Sequence, residues 1–283
     1  MKILVTGCNG QLGHAIQEIS TYLSEWTWKF TDLPELDITN PEQVNQTVKN
    51  FQPDWIINAA AYTDVDGAET NQELAFRVNA EGPHNLAKAV IEANAKLVHI
   101  STDYVFDGTK NEPYTETDQP NPLQVYGKSK LEGETLIQET GVPGIIIRTS
   151  WLYGTHGNNF VKTILRLADE KDEIQVVDDQ IGSPTYVGDL AEAILELLSK
   201  HTFHHLELLH YSNEGGISWY EFAEKIIKNK KMNKIKPIIT EELKSKIKRP
   251  KYTVLDFNKS HNKFNLKILN WKDSFNKSFL VNN

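Results

Sequence analysis

The first thirteen residues constrain the fold more than any other stretch. Ile3-Leu4-Val5 is an apolar strand that runs directly into Gly7-Cys-Asn-Gly10-Gln-Leu-Gly13, and these evenly spaced glycines open an amphipathic helix bearing Leu12, Ile16, Ile19 and Leu23 on one side. Each glycine has its own task. Gly7 permits the sharp exit from the strand, Gly10 lets a pyrophosphate approach the backbone, and Gly13 lets helix and sheet pack closely. The free N–H groups of the helix N-terminus would hold the anion.

The remaining chain repeats the strand-then-helix pattern. Trp26 to Thr31 predicts a second strand ending at Asp32, whose carboxylate can accept from the adenosine ribose hydroxyls, with Asp37 as its competitor. Asn40-Pro41 then starts a helix as N-cap and first-turn proline. Trp55 to Asn58 is a third strand feeding the small residues Ala59-Ala-Ala61-Tyr62-Thr63, which leave room for a flat ligand. One long helix through Leu74, Val78, Leu86 and Val90 follows, with Asn79 in it counted among the cofactor contacts. Leu97 to Ser101 and Gly144 to Thr149 complete five strands.

That alternation predicts an α/β fold, a doubly wound parallel sheet of Rossmann type with a smaller C-terminal substrate-binding lobe. The expected division is 1–154, completed by 188–213, for the dinucleotide domain, and 155–187 with 214–283 for the lobe. Ligands of such sheets bind beyond the carboxyl ends of the strands.

Composition sets outer limits on function. The single cysteine, Cys8, excludes an internal disulfide and fits a reducing, cytoplasmic setting. No apolar run is long enough for a membrane span, and the N-terminus lacks the apolar core of a signal peptide. The net charge of −8 is unevenly spread: residues 1–224 carry 14 Lys+Arg against 34 Asp+Glu, residues 225–283 carry 16 against 4. A basic tail suits nucleic acid, a membrane surface or an anionic small molecule, or simply a solvated face balancing an acidic body, and no nucleic-acid-binding motif accompanies it. His201, His204 and His205 lie at a predicted helix end, where imidazoles are favoured without any metal, so no metal ligands are assigned.

Chemistry is expected at Tyr126 and Lys130, one helical turn apart at the start of the helix that follows the fourth strand's loop. Hydride reduction of a ketone leaves an alkoxide that needs a proton, and a phenol with a pKa of about 10 is a filled donor at pH 7. An ammonium beside it stabilises the phenolate left behind. Lys130 can also bond the nicotinamide ribose, and Thr102 can orient the carbonyl oxygen.

These motifs resemble those of the extended short-chain dehydrogenase/reductases, and within that group the chain is similar to the dTDP-4-dehydrorhamnose reductases. The resemblance rests on Gly7–Gly13, Asn58–Asp66 with Ala68-Glu69, Ser101–Gly108, Tyr126–Glu134, Arg148–Gly154, Asp179–Thr185, Arg249-Pro250 and Leu255-Asp256, and it is weakest in the final thirty residues. It implies reduction of the C4 ketone of dTDP-4-dehydro-L-rhamnose by NADPH or NADH, giving dTDP-L-rhamnose for polysaccharide synthesis. By the same resemblance Thr102, Tyr126 and Lys130 are catalytic, and Asp103 and Trp151 contact the sugar. Gln11, Leu12, Asp37, Ile38 and Ala61 to Thr63 contact the cofactor.

The resemblance further implies a homodimer, and some members hold a magnesium ion at a carboxylate-lined dimer contact, for which no residues of this chain are assigned. Arg249 is the candidate for the substrate's diphosphate. Asp32 disfavours a 2′-phosphate while Lys29 or another cation would counter it, so NADPH and NADH both stay open. Two alternatives share the scaffold: a sugar-nucleotide epimerase or 4,6-dehydratase, and a non-catalytic regulatory subunit like that of methionine adenosyltransferase. Against the dehydratase, Tyr104 stands after Asp103 where an acidic residue would be needed.

Overall fold

In the computed structural model, which describes residues 1–228, 234–243 and 247–280, the N-terminal apolar run forms strand β1 (Lys2–Thr6) with Ile3, Leu4 and Val5 wholly buried. Five strands join it: β2 (Thr27–Thr31), β3 (Trp55–Asn58), β4 (Lys96–Thr102), β5 (Gly144–Thr149) and β6 (Leu206–His210). All pair in parallel in the spatial order β6-β5-β4-β3-β1-β2. From β1 the chain goes outward to β2, then crosses back to β3 on the other side. That reversal opens a crevice beyond the carboxyl ends of β1 and β3.

The central strands run through continuous apolar stretches, Ile3–Val5 in β1, Trp55–Ile57 in β3 and Ile145–Ile147 in β5, because both faces are covered, while β4 carries a buried His99. Ile3 and Val5 face one core with Leu12 and Ile16 of helix α1 (Gln11–Ser20) and Leu190, Ile194 and Leu197 of a later helix, Val187–Lys200. Leu4 faces the other, against Val44 and Val48 of α2 (Pro41–Phe51), Leu86 and Val90 of α3 (Gly82–Glu92), and Ile137 of α4 (Val125–Thr140). The predicted cap of α2 is present, Asn40 accepting from Gln43 N–H ahead of Pro41.

The expected single helix over Leu74 to Val90 is instead broken into Gln72–Phe76, a π turn at Arg77–Glu81, and α3. Pro83 has no N–H to offer the Asn79 carbonyl four residues back, so the ladder widens there and Gly82 N–H reaches Arg77. The displaced Asn79 carbonyl lies so near Gly133 of α4 that any Cβ at Gly133 would collide with it.

A third cluster lies outside the sheet. It joins Val161 and Ile164 of the helix Phe160–Glu170, Phe222 and Ile226 of Trp219–Ile227, and Phe275 of Trp271–Leu280 to the strand Glu173–Val177, which pairs in parallel with Lys234–Ile238. Phe264 and Leu266, from the same C-terminal stretch, pack into the first core. Lys230, Lys231, Lys244 and Lys246 of the basic tail lie outside the described residues. Among the described residues, no helix is long and apolar enough to cross a membrane.

Candidate active site

Gly7 leaves β1 at φ +69°, and a Cβ there would collide with the backbone of Ala59 and Ala60, while one on Gly13 would strike Gly7 and Cys8. These two glycines are therefore demanded by the fold itself. Gly10 is different: its missing Cβ would meet only the Gly7 carbonyl, and it caps α1 with no side-chain hydrogen bond. The first turn of α1 thus presents unclaimed N–H groups to whatever lies in front of it.

What lies there is a cavity of about 620 Å³ running across the carboxyl ends of the strands. At one end are Gly7, Gly10, Gln11 and Leu12, with Asp32, Asp37 and Ile38 beyond them and Ala61 and Thr63 opposite. Asp32 is oriented by the N–H groups of Asn9 and Leu33, both at 2.9 Å. At the other end are Thr102, Asp103, Tyr126, Lys130 and Trp151. Fourteen residues singled out from sequence therefore line one space.

Four others do not. Gly13 lies beneath the turn. Tyr62 and Asn79 stand behind the wall, where the Asn79 amide accepts from Tyr62 N–H at 2.8 Å and donates to the Tyr62 carbonyl and the Ser129 hydroxyl, each at 3.0 Å. An amide so fully used braces the loop and has little left for a ligand. Arg249 borders a second cavity of about 630 Å³ and pairs with Asp66 at 2.5 Å.

The reactive end is set by β4, the turn after it and α4. Thr102 closes β4 and accepts from Tyr104 N–H, fixing a short 3₁₀ turn that sends Asp103 into the first cavity and Tyr104 to the second. Burial pushes the Tyr126 phenol up to about 12, against the pull of its hydrogen bond with Thr102, so it keeps its proton through the physiological range. Burial brings the Lys130 ammonium down to about 8, opposed by the Glu134 charge, and Nζ donates to the Ile100 carbonyl at 2.6 Å. The Asp103 carboxyl, also buried, is driven up to about 7, with Thr253 and Thr102 hydrogen bonds opposing.

Sequence reasoning missed several wall residues. Gly157 and Asn158 come from the loop before Phe160, where Gly154-Thr-His-Gly-Asn-Asn159 is a recognisable run of turn formers. Thr149 and Ser150 follow directly from β5, and Thr149 Oγ1 is buried with no hydrogen-bond partner among the described residues. Trp151 holds φ +47°, costly for a bulky side chain, and stacks on Trp219 with ring centroids 3.4 Å apart. Trp151 lines the first cavity and Trp219 the second, so this stack stands between them.

The residues fit a nicotinamide dinucleotide. The glycine turn offers N–H groups for a pyrophosphate, Asp32 offers acceptors for ribose hydroxyls, and Thr149 offers an unused hydroxyl deep in the cavity. Among the described residues no three His, Cys, Asp or Glu side chains gather as a metal site, and His201 is occupied by the Phe264 carbonyl and ring.

Comparison with known proteins agrees with this geometry. The family model described as RmlD substrate binding domain matches residues 1–281. A dTDP-4-dehydrorhamnose reductase of Aggregatibacter actinomycetemcomitans is 41% identical over 96% of both chains. The spore coat polysaccharide biosynthesis protein SpsK of Bacillus subtilis is 43% identical over 90% of this chain and 88% of its own. The crystal structure of dTDP-4-dehydrorhamnose reductase from Bacillus anthracis in complex with NADP superposes with a TM-score of 0.93, at 44% identity and 99% coverage of both chains.

Proposed function

The chain belongs to the RmlD substrate binding domain family, and from that premise we propose that it reduces the C4 ketone of dTDP-4-dehydro-L-rhamnose to dTDP-L-rhamnose with NADPH or NADH. The observation that carries this reading is a proton-bearing phenol, a hydroxyl and an ammonium at one end of a cavity whose other end is a phosphate-type glycine turn.

In this mechanism the reduced nicotinamide supplies the hydride. Gly7, Gly10, Gln11 and Leu12 hold the pyrophosphate, Asp32 the adenosine ribose, and Asp37, Ile38, Ala61 and Thr63 the flanks of the cofactor. Gly13, Tyr62 and Asn79 act behind them as supports. The Thr102 hydroxyl orients the ketone oxygen, and Tyr126 gives its phenolic proton to that oxygen as negative charge develops. Lys130 stabilises the phenolate that remains.

Asp103, about half of it protonated at pH 7, donates in that form to a sugar oxygen and repels the diphosphate less than an ordinary carboxylate, and Trp151 flanks the sugar ring. Arg249 meets the diphosphate at the second cavity by releasing Asp66. We assign 1–154 with 188–213 to the cofactor, and 155–187 with 214–283 to the substrate. A homodimer acting in the cytoplasm completes the reading; the lone free thiol, Cys8, supports the compartment.

The test is to mix the purified protein with dTDP-4-dehydro-L-rhamnose and NADPH or NADH and follow the reduced nicotinamide. Oxidation matched by product, and reduced about 10²- to 10⁴-fold in Tyr126→Phe, is the expected result. A redox-neutral conversion of the sugar refutes it.

A further inference from the structure

Behind Lys130, away from the cavity, a row of buried polar groups fixes where protons sit. The Thr6 hydroxyl at 2.7 Å and Ala60 N–H at 3.2 Å both donate to Asn58 Oδ1. The Asn58 amide nitrogen is thereby turned to His99 Nδ1, 3.0 Å away. An amide NH₂ only donates, so Nδ1 accepts, and a neutral imidazole then carries its proton on Nε2. Asn58 and His99 are both wholly buried, and burial, together with the Lys130 charge, keeps the ring neutral.

His99 Nε2 lies 3.4 Å from Lys130 Nζ. An ammonium has no lone pair, so it and the imidazole N–H would oppose each other, whereas a neutral amine accepts that N–H and still donates to the Ile100 carbonyl. Building on the reductase reading, we propose that His99, clamped by Asn58, is a positioning residue: it presents an N–H to Lys130, favours amine over ammonium, and makes the lysine's charge switchable.

The other ionisable groups of the packed elements leave His99 this influence. Glu134 on α4 favours the ammonium, yet its carboxylate is already held by Arg148 of β5 at 2.6 and 2.9 Å and by the Ser101 hydroxyl at 2.5 Å. Tyr126 and Asp103 lie on the cavity side, and Tyr62 stands behind the wall. Arg77 and Glu81 of the π turn are exposed, Asp66 pairs with Arg249, and Glu69 accepts from Val125 N–H at the start of α4.

When Lys130 loses its proton, the phenolate of Tyr126 loses its stabilising charge, so ketone reduction falls as pH rises through the lysine's midpoint. The experiment uses cofactor-free protein: ¹⁵N NMR gives the His99 tautomer, and ¹³C NMR titrates the Lys130 ε-carbon, assigned by its loss in Lys130→Met. The expected results are a proton on Nε2, a midpoint near 8, and a rise of about one pH unit or more in His99→Gln, whose amide oxygen can accept from the ammonium. The alkaline fall in kcat/KM moves up with it. A proton on Nδ1, or an unmoved midpoint in folded His99→Gln, overturns the proposal; should that variant not fold, the wild-type tautomer and midpoint decide. Failure to reduce the sugar nucleotide would sink the reductase reading alone, because the titration needs no turnover.

Discussion

The two ends of the catalytic cleft are built in opposite ways. The glycine-turn end is shaped mainly by backbone, the turn Gly7–Gly13 and the loop Ala59–Thr63 that meets it, with the side chains of Asp32, Asp37 and Ile38 beyond. The opposite side, Trp151 of the same cavity with Trp219 and Arg249 of the second cavity beyond the tryptophan stack, is made of side chains drawn from parts of the chain that share no local pattern. Backbone sites tolerate little change because their shape is the fold. Side-chain sites can lose one member and keep their frame.

The sharpest way to break the backbone end is Gly7→Ala. The added methyl forces an alanine to hold φ +69° and overlaps Ala59 and Ala60, together costing about 4 kcal/mol. Urea unfolding checks the stability, and fluorescence titration with NADPH is expected to show binding lost. Gly10→Ala, where the Cβ has more room, is expected to retain the fold while weakening the cofactor.

That difference explains what the sequence could tell. The turn, the Asn40-Pro41 cap and the strand-helix alternation are local, so the sheet, the glycines, Asp32 and the Tyr126 and Lys130 pair followed from neighbouring positions, whereas Gln11, Leu12, Ile38, Ala61, Thr63, Asp103 and Trp151 came from the family resemblance. The Asn79 amide looks free on paper, and nothing in the sequence announces that Tyr62 and Ser129 engage it. The π turn had a signal in Pro83, whose missing N–H falls against Asn79. Trp151 at positive φ, its stack on Trp219 and the donor logic of Asn58 and His99 are tertiary facts that periodicity does not encode.

Asp103 sits at the reactive end, beside Thr102 and Tyr126, and probes it by pH. Its folded pKa, about 7, lies above the ordinary 3.8, so the native state binds the extra proton in that window. Stability therefore falls as pH rises from about 4 to about 7. Three units correspond to about 4 kcal/mol at most. Asp103→Asn removes the charge and keeps the shape: its melting temperature is expected to exceed the wild type's at pH 8 and to converge with it at pH 4.

Trp219→Ala tests the side-chain end without touching the cofactor. Removing a stacked aromatic partner costs about 1 kcal/mol beyond the lost area, so KM for the nucleotide sugar is expected to rise about fivefold while NADPH binding stays unchanged. Equal losses in both would mean that Trp219 supports the whole cleft, and the contrast between its ends would fail.

The smallest effect belongs to Arg249. In the structure its half-buried guanidinium is engaged by Asp66, whose own side chain is 62% exposed, and by the buried Tyr104 phenol; an exposed ion pair contributes about 0 to 1 kcal/mol, and loss of a partner to a buried hydroxyl costs about 1 kcal/mol more. Arg249→Ala should accordingly lower the unfolding midpoint only modestly. If the arginine swings to the diphosphate, KM for the nucleotide sugar rises a few-fold and kcat holds, because the contact is equally strong in ground and transition states. Arg249→Lys keeps the charge but loses the planar fork and is expected to recover only part of that KM. Should Arg249→Ala leave KM untouched, the diphosphate is held elsewhere, and the side-chain end of the cleft narrows to the tryptophan pair and Asp103.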